Sequence, residues 1–227
     1  MNKKEILEKI DKLNNTPAVS KGSSAVIIPL IEKDGEMHIL FEERSHKLEF
    51  QPGEVCFPGG RIEEGETPKE AALREFFEEL FSKFNHDNIP NNNSEAKSCE
   101  SSIEDYLEIL SELPPIMGPT GAIIYPFVGL VKKDDFTYSK DEVEKIFTYP
   151  VSYLLDHPPV CYKMQKRTFA PDNFPFEKVT GGKSTYGFHV QKYDMWIYED
   201  TDPIVWGFTG RLLHSFLEQI NSKKPAG

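Results

Sequence analysis

Residues 59–79 constrain this chain more than any other stretch, because they dictate a glycine turn feeding an amphipathic helix with an acidic face. Thr67-Pro68-Lys69-Glu70 reads as the helix start. Thr67 can accept from free backbone N–H groups, Pro68 suits the first helical position, and Glu70 completes a capping box. From Thr67 the pattern predicts a helix to about Phe81. At roughly 100° per residue, Glu75, Glu78 and Glu79 share an arc of about 100°. Leu73, Phe76, Phe77, Leu80 and Phe81 take the other side, so the helix packs through its aromatic face. Ala71 and Ala72 flank the acidic arc, where small side chains leave room for an ion or a substrate.

Arg74 and Glu78 form an i, i+4 pair of opposite charge, while Glu75 and Glu79 are like-charged at the same spacing. Without a cation the second pair destabilises the helix. Hard carboxylate oxygens on a fixed helix suit Mg²⁺ or Mn²⁺, which keep waters and bind substrate phosphates. The alternative is a solvated acidic face. Gly59 and Gly60 permit a tight turn beside the helix, though a glycine pair alone marks only a turn.

The spacing of Gly60, Glu66, Arg74, Glu75, Phe76, Glu78 and Glu79 resembles the Nudix box, the signature of hydrolases that cut nucleoside diphosphates linked to another group. Six fixed identities at about 5–7% usage each recur by chance on the order of 10⁻⁸ per window, so coincidence is set aside. Phe81 stands where that signature has a helix-ending glycine, which predicts a helix that runs on or ends differently. The resemblance implies an α/β fold, a mixed β-sheet sandwiched between α-helices. It also implies metal held by Glu75, Glu79 and the Gly60 carbonyl, with Glu78 near and Arg74 orienting the carboxylates.

Upstream, Arg44-Ser45, Leu48 and the run Gly53-Glu54-Val55-Cys56-Phe57-Pro58-Gly59-Gly60 look like the extended signature of the coenzyme A pyrophosphatase branch. Glu49 occupies a position that is usually basic in that branch. Arg44 and Lys47 are natural phosphate contacts, Arg44 through its planar fork. With Arg61 and Gly59 they make the candidate substrate-binding set. Cys56, between apolar neighbours, reads as a buried strand thiol rather than a nucleophile. His46 reads as a surface residue, and His214, among Leu212, Leu213 and Phe216, as a packed or rim histidine.

In the resembling family, water attacks one phosphorus of a P–O–P link. Catalytic candidates here are Arg74, Glu78 and, as a general base from a loop, Glu142, with Glu144 beside it. Coenzyme A would give 3′-phospho-AMP and 4′-phosphopantetheine. Two rivals stand beside this reading. One is a Nudix diphosphatase for ADP-ribose, a dinucleotide or an oxidised nucleoside triphosphate, favoured by Glu49. The other is a nucleotide-sensing module that does not hydrolyse, favoured by Phe81 and the inserted loop and opposed by the complete set Arg74, Glu75, Glu78 and Glu79.

Lys+Arg 26 against Asp+Glu 37 gives a net charge of -11, which argues against a nucleic-acid partner bound through a broad basic field. The expected partner is a small nucleotide of the coenzyme A kind, with no membrane, and the chain as monomer or homodimer. Three cysteines in 227 residues fit a reducing compartment, the cytoplasm, rather than a disulfide scaffold. One domain over 1–227 is the expectation from length. Within it, residues 1–20 form an N-terminal extension with an amphipathic helix, and the polar, Asn/Ser-rich stretch 82–104 is an inserted loop or a lid.

Strands are expected at 23–31 and 37–43 around the turn Lys33-Asp34-Gly35, then at 55–57, 105–113, 123–131, 160–168 and 186–198. Residues 141–147 read as a short helix and 203–220 as a closing amphipathic helix.

Overall fold

The computed structural model describes residues 22–81, 103–118 and 121–222. The expected N-terminal helix and all but the last two residues of the 82–104 insertion lie outside these residues. The chain divides into two compact units, 1–150 and 151–227.

The first unit is built on an eight-stranded sheet. Strands β1 (Ser24–Lys33) and β2 (Glu36–Arg44) form a hairpin over the expected turn, where Asp34 and Gly35 adopt positive φ. The sheet continues with β3 (Val55–Cys56), β4 (Gly59–Arg61), β5 (Leu107–Glu112), β6 (Ile116–Met117), β7 (Ile123–Val131) and β8 (Val143–Pro150). Its order is β3-β2-β1-β7-β5, with β4 on β1, β6 on β7 and β8 on β2. β1 and β7 are parallel and the remaining pairs antiparallel, so the sheet is mixed, as expected.

Helix α1 (Pro68–Leu80) lies against this sheet. Alternation along β1 and β7 sends Ala25, Ile27, Ile31, Phe127 and Val131 into the same core as Phe76, Phe77 and Leu80. Full burial of each large apolar side chain stabilises by about 1.5–3 kcal/mol. Ala71 and Ala72 are fully buried in this core, so they do not open ground beside the carboxylates as their size suggested. They let the helix backbone approach the sheet instead. Phe81 ends the helix rather than extending it. Its N–H donates to the Phe77 carbonyl, its φ of -135° leaves the helical region, and its ring packs with Phe76, Phe77, Tyr106 and Phe136. Ile103, at the far end of the insertion, is buried in the same cluster.

The expected helix over 141–147 is wrong. Residues 143–150 are strand β8, paired antiparallel with β2. The cause is Phe41, whose ring stacks on Phe57 at 5.1 Å and on Phe147 at 5.6 Å. Cross-strand aromatic pairing outweighs a weak local helical pattern.

In the second unit, helix α2 (Val151–Asp156) is followed by the hairpin of β9 (Val160–Lys166) and β10 (Gln191–Ile197), with the short α3 (Phe176–Thr180) between them. Helix α4 (Gly207–Asn221) starts later than expected. His214 on α4 stacks on Trp196 of β10, ring centroids 3.8 Å apart, which makes it a packed histidine. No helix among the described residues is long and apolar enough to cross a membrane.

Candidate active site

Helix α1 is placed by its N-terminus. Thr67 Oγ1 accepts from the Glu70 N–H, and the Glu70 carboxylate accepts from the Thr67 N–H at 2.8 Å, closing the capping box. Below it runs the glycine turn. Gly59 pairs with Val26 and Gly60 with Ala25 across β4 and β1. At Gly59, with φ of 152°, a Cβ would collide with the Ala25 carbonyl. At Gly60 a Cβ would collide with the Glu75 carboxylate. Glycine is thus required at Gly59, where the obstacle is backbone, while at Gly60 it lets the Glu75 carboxylate lie against the turn.

Arg74 organises the acidic arc. Its Nε donates to Glu66 Oε1 at 2.7 Å and Nη2 to Glu66 Oε2 at 3.1 Å. Nη1 donates to Glu75 at 2.9 Å and to Glu78 at 3.0 Å, and Nη2 also donates to the Arg61 carbonyl at 2.9 Å. The i, i+4 pair with Glu78 is formed as expected. Burial would raise the Glu66 carboxyl, but the Arg74 hydrogen bond and charge, with the Glu63 N–H, hold it below the usual range. The signature includes Glu66 without giving it a role; in the fold its two oxygens hold Arg74.

The other carboxylates behave in the opposite way. Burial pushes Glu75 upward, against the pull of Arg74. Glu79 is half-buried and accepts from the Gly59 N–H at 2.9 Å. Burial and the nearby Glu42 charge push its carboxyl well above the usual range. Glu79 is therefore not part of a fully solvated cluster.

Glu42, on β2, stands beside these carboxylates, and sequence reasoning passed over it. It is 1% exposed. Burial pushes its carboxyl up to about 7, while the Cys56 hydrogen bond and Arg44 pull the other way and Glu142 and Glu75 add to the rise. Cys56 Sγ donates to Glu42 Oε1 at 3.0 Å. Burial, then Glu42 and Glu79, push that thiol far up, so it stays protonated and is no nucleophile.

Of the candidate substrate contacts, the structure brings Arg44 to the carboxylates, where its charge acts on both Glu42 and Glu79. The Arg44 Nε is buried without a hydrogen-bond partner. Ser45 ties this corner together: its N–H donates to the Glu142 carbonyl and its hydroxyl to the Lys140 carbonyl, both at 2.9 Å. The loop before β8 thereby sits at the end of β2, and Glu142 comes within electrostatic reach of Glu42. Glu144 enters β8. Lys47 is at the surface, paired with Asp141 at 2.7 Å, and so is not joined to the Arg74 network. Arg61 contributes its carbonyl to Arg74 and leaves its side chain exposed. His46 is exposed and meets Glu43 at 3.2 Å.

The donor set is hard carboxylate oxygen plus a backbone carbonyl, which fits a divalent cation of the Mg²⁺ or Mn²⁺ kind. The mutual crowding of Glu42, Glu75 and Glu79, with one Glu42 oxygen buried and unpartnered, is what a cation would relieve. Among the described residues no three Cys, His, Asp or Glu side chains yet converge on one point. Glu75 and Glu78 are drawn to Arg74 and Glu79 to Gly59.

Residues 21–159 match the NUDIX domain family. Nudix hydrolase 3 of Caenorhabditis elegans is 27% identical over 89% of this chain and 75% of its own length. The peroxisomal coenzyme A diphosphatase NUDT7 of Mus musculus is 32% identical over 70% of this chain and 59% of its own. The peroxisomal coenzyme A diphosphatase ndx-8 of Caenorhabditis elegans is 33% identical over 66% and 58%. This chain thus spans less than two thirds of either coenzyme A diphosphatase. Among solved structures, a MutT/nudix family protein from Enterococcus faecalis aligns over 98% of this chain and 71% of its own, with a TM-score of 0.46 at 13% identity.

Proposed function

This chain belongs to the NUDIX domain family, whose hydrolases act on diphosphate bonds of nucleotide-like substrates, and on that premise we propose that it is a divalent-cation-dependent diphosphatase of coenzyme A or an acyl derivative. The observation that carries the reading is the Arg74 network, which sets Glu66, Glu75 and Glu78 around one guanidinium while Gly59 holds Glu79.

Glu75, Glu79 and the Gly60 carbonyl would hold Mg²⁺ or Mn²⁺. The bound ion would neutralise charge on the diphosphate oxygens and lower the pKa of water. Arg74 keeps the carboxylates in register, so that little reorganisation is needed at the moment of reaction. Arg44, whose charge acts on Glu42 and Glu79, would pair with a phosphate oxygen. Arg61 and Gly59 would complete the substrate contacts, and Lys47 would reach substrate only by leaving Asp141. Glu142, in the loop before β8, would take the proton of the attacking water. One P–O bond of the diphosphate breaks as the new one forms, giving 3′-phospho-AMP and 4′-phosphopantetheine or its acyl form.

The coenzyme A assignment draws its support from Arg44-Ser45, the run Gly53–Gly60, and the likeness to the mouse and nematode coenzyme A diphosphatases. Glu49, exposed at the position where that branch carries a basic residue, favours the second reading, in which ADP-ribose or a dinucleotide is cut. A substrate panel with Mg²⁺ or Mn²⁺, products resolved by mass, decides between them. The expected order is coenzyme A above ADP-ribose and nucleoside triphosphates in kcat/KM. The reverse order moves the chain to another branch. For the compartment, free thiols at Cys56 and Cys161 support a reducing one, the cytoplasm.

A further inference from the structure

We propose that Glu42 is a further divalent-cation residue of this site, holding the ion directly or through one of its waters from strand β2. The proposal rests on the cation-dependent reading above and adds a donor that lies outside the helix signature.

The argument starts from position. Leu40, Glu42 and Arg44 share one face of β2, and Glu42 stands opposite Cys56 of β3. The chain then turns through Pro58 to Gly59, whose N–H holds Glu79. The strand pair and the helix thus deliver Glu42 and Glu79 to one neighbourhood, and the two charges act on each other. Glu75 from the helix and Glu142 from the loop before β8 act on Glu42 as well, with Arg44 as an opposing positive group.

Glu42 is 1% exposed, and its two oxygens differ. Oε1 accepts from the Cys56 thiol at 3.0 Å. Oε2 is buried with no hydrogen-bond partner. A thiol is a weak donor and satisfies one oxygen only. A buried carboxylate beside other carboxylates persists when something positive pairs with it. A residue that served only to pack against Cys56 would need no charge there. A hard cation answers each of these features: it pairs with Oε2, and it screens Glu42 from Glu79 and Glu75. Mg²⁺ keeps several waters, so a contact through one of them meets the same need.

The test uses the full chain stripped with a chelator, as wild type, Glu42→Gln and Glu79→Gln. Mn²⁺ is titrated with the free ion counted by electron paramagnetic resonance, and melting is followed with and without the ion. Glu42→Gln is expected to weaken Mn²⁺ affinity roughly 10–100-fold. It should also melt higher than wild type without the ion and gain less on adding it, because a buried charge has been removed. Wild-type affinity in Glu42→Gln, with an undiminished ion-induced shift, overturns the proposal. If Glu42→Gln does not fold, Glu42→Asp keeps the charge but draws it back, and unchanged affinity in that variant overturns the proposal equally. Wild type that takes up no Mn²⁺ removes the cation-dependent reading itself. Uptake lost in Glu79→Gln but kept in Glu42→Gln removes Glu42 alone.

Discussion

Arg74 grips Glu66 side-on, Nε to Oε1 at 2.7 Å and Nη2 to Oε2 at 3.1 Å, from a position eight residues further along the chain. A guanidinium fork is required for this, since its third nitrogen must still reach Glu75 and Glu78. Arg74→Lys keeps the charge and loses the fork. We expect it to cost about 1–3 kcal/mol in urea unfolding, because Glu66 and the Arg61 carbonyl lose donors. Turnover should fall further than stability does, as Glu75 and Glu78 lose their common anchor.

Glu79→Gln should abolish turnover while leaving the metal-free protein folded. The amide removes a charge that is already costly beside Glu42, so the melting temperature without cation is expected to stay level or rise. A marked drop in that temperature, measured after chelation, would make Glu79 a structural acceptor for Gly59 instead.

The raised carboxyls set the sign of the pH dependence. Glu42 has its folded pKa near 7 against 4.5 in the unfolded chain. Its contribution is therefore fully present below about 4.5 and is lost as pH rises through 7, with a slope of at most about 1.4 kcal/mol per pH unit. Glu79 and Glu75 act in the same direction; Glu66, held low by Arg74, acts oppositely in the acid range. The neighbours that face Glu42 are Glu75 and Glu79 on α1, Arg44 on its own strand, Cys56 on β3 and Glu142 in the loop. Metal-free protein should have a higher urea midpoint at pH 5.5 than at pH 7.5. Glu42→Gln should flatten that difference.

Phe81 is 3% exposed where the signature has glycine. Phe81→Ala is expected to cost about 3–5 kcal/mol by opening a cavity among Phe76, Phe77, Tyr106 and Phe136. A loss below 1 kcal/mol in urea unfolding would mean that the cluster closes over the gap.

Lys47 and Asp141 are 69% and 78% exposed, so their ion pair contributes little. Lys47→Ala should leave stability essentially unchanged, because an ion pair in open solvent is screened. A several-fold rise in KM with kcat unchanged would place Lys47 on the substrate; unchanged kinetics would leave it a surface charge.

The helix, its cap and the Arg74–Glu78 pair were legible because each is set by residues within a few positions of one another. The rest was fixed at long range. Val143, Ile146 and Phe147 have helical spacing, and only Phe41, contributed by another strand, makes them part of β8. Glu42 reads as a solvent-facing residue at the end of an apolar run. At Glu42 the strand is flanked by Cys56 of β3 on one edge and Ile146 of β8 on the other, neighbours supplied from far along the chain. The sequence does carry one signal, the apolar run Ile39-Leu40-Phe41 leading into Glu42-Glu43, which is how a strand covered on both faces is written.

Strand β1 is made before helix α1, and its parallel partner β7 after it; Ile27 meets Phe127, one hundred residues later. During synthesis, then, the helix emerges complete while Phe127 and Val131, part of the cover for Phe76, Phe77 and Leu80, are still to be made. At about 5–20 residues per second the delay lasts several seconds. For that interval the nascent chain presents a row of aromatic side chains to whatever binds exposed apolar surface. A chain cut short before residue 131 would carry the whole catalytic helix and still be a client for chaperones and proteases rather than an enzyme.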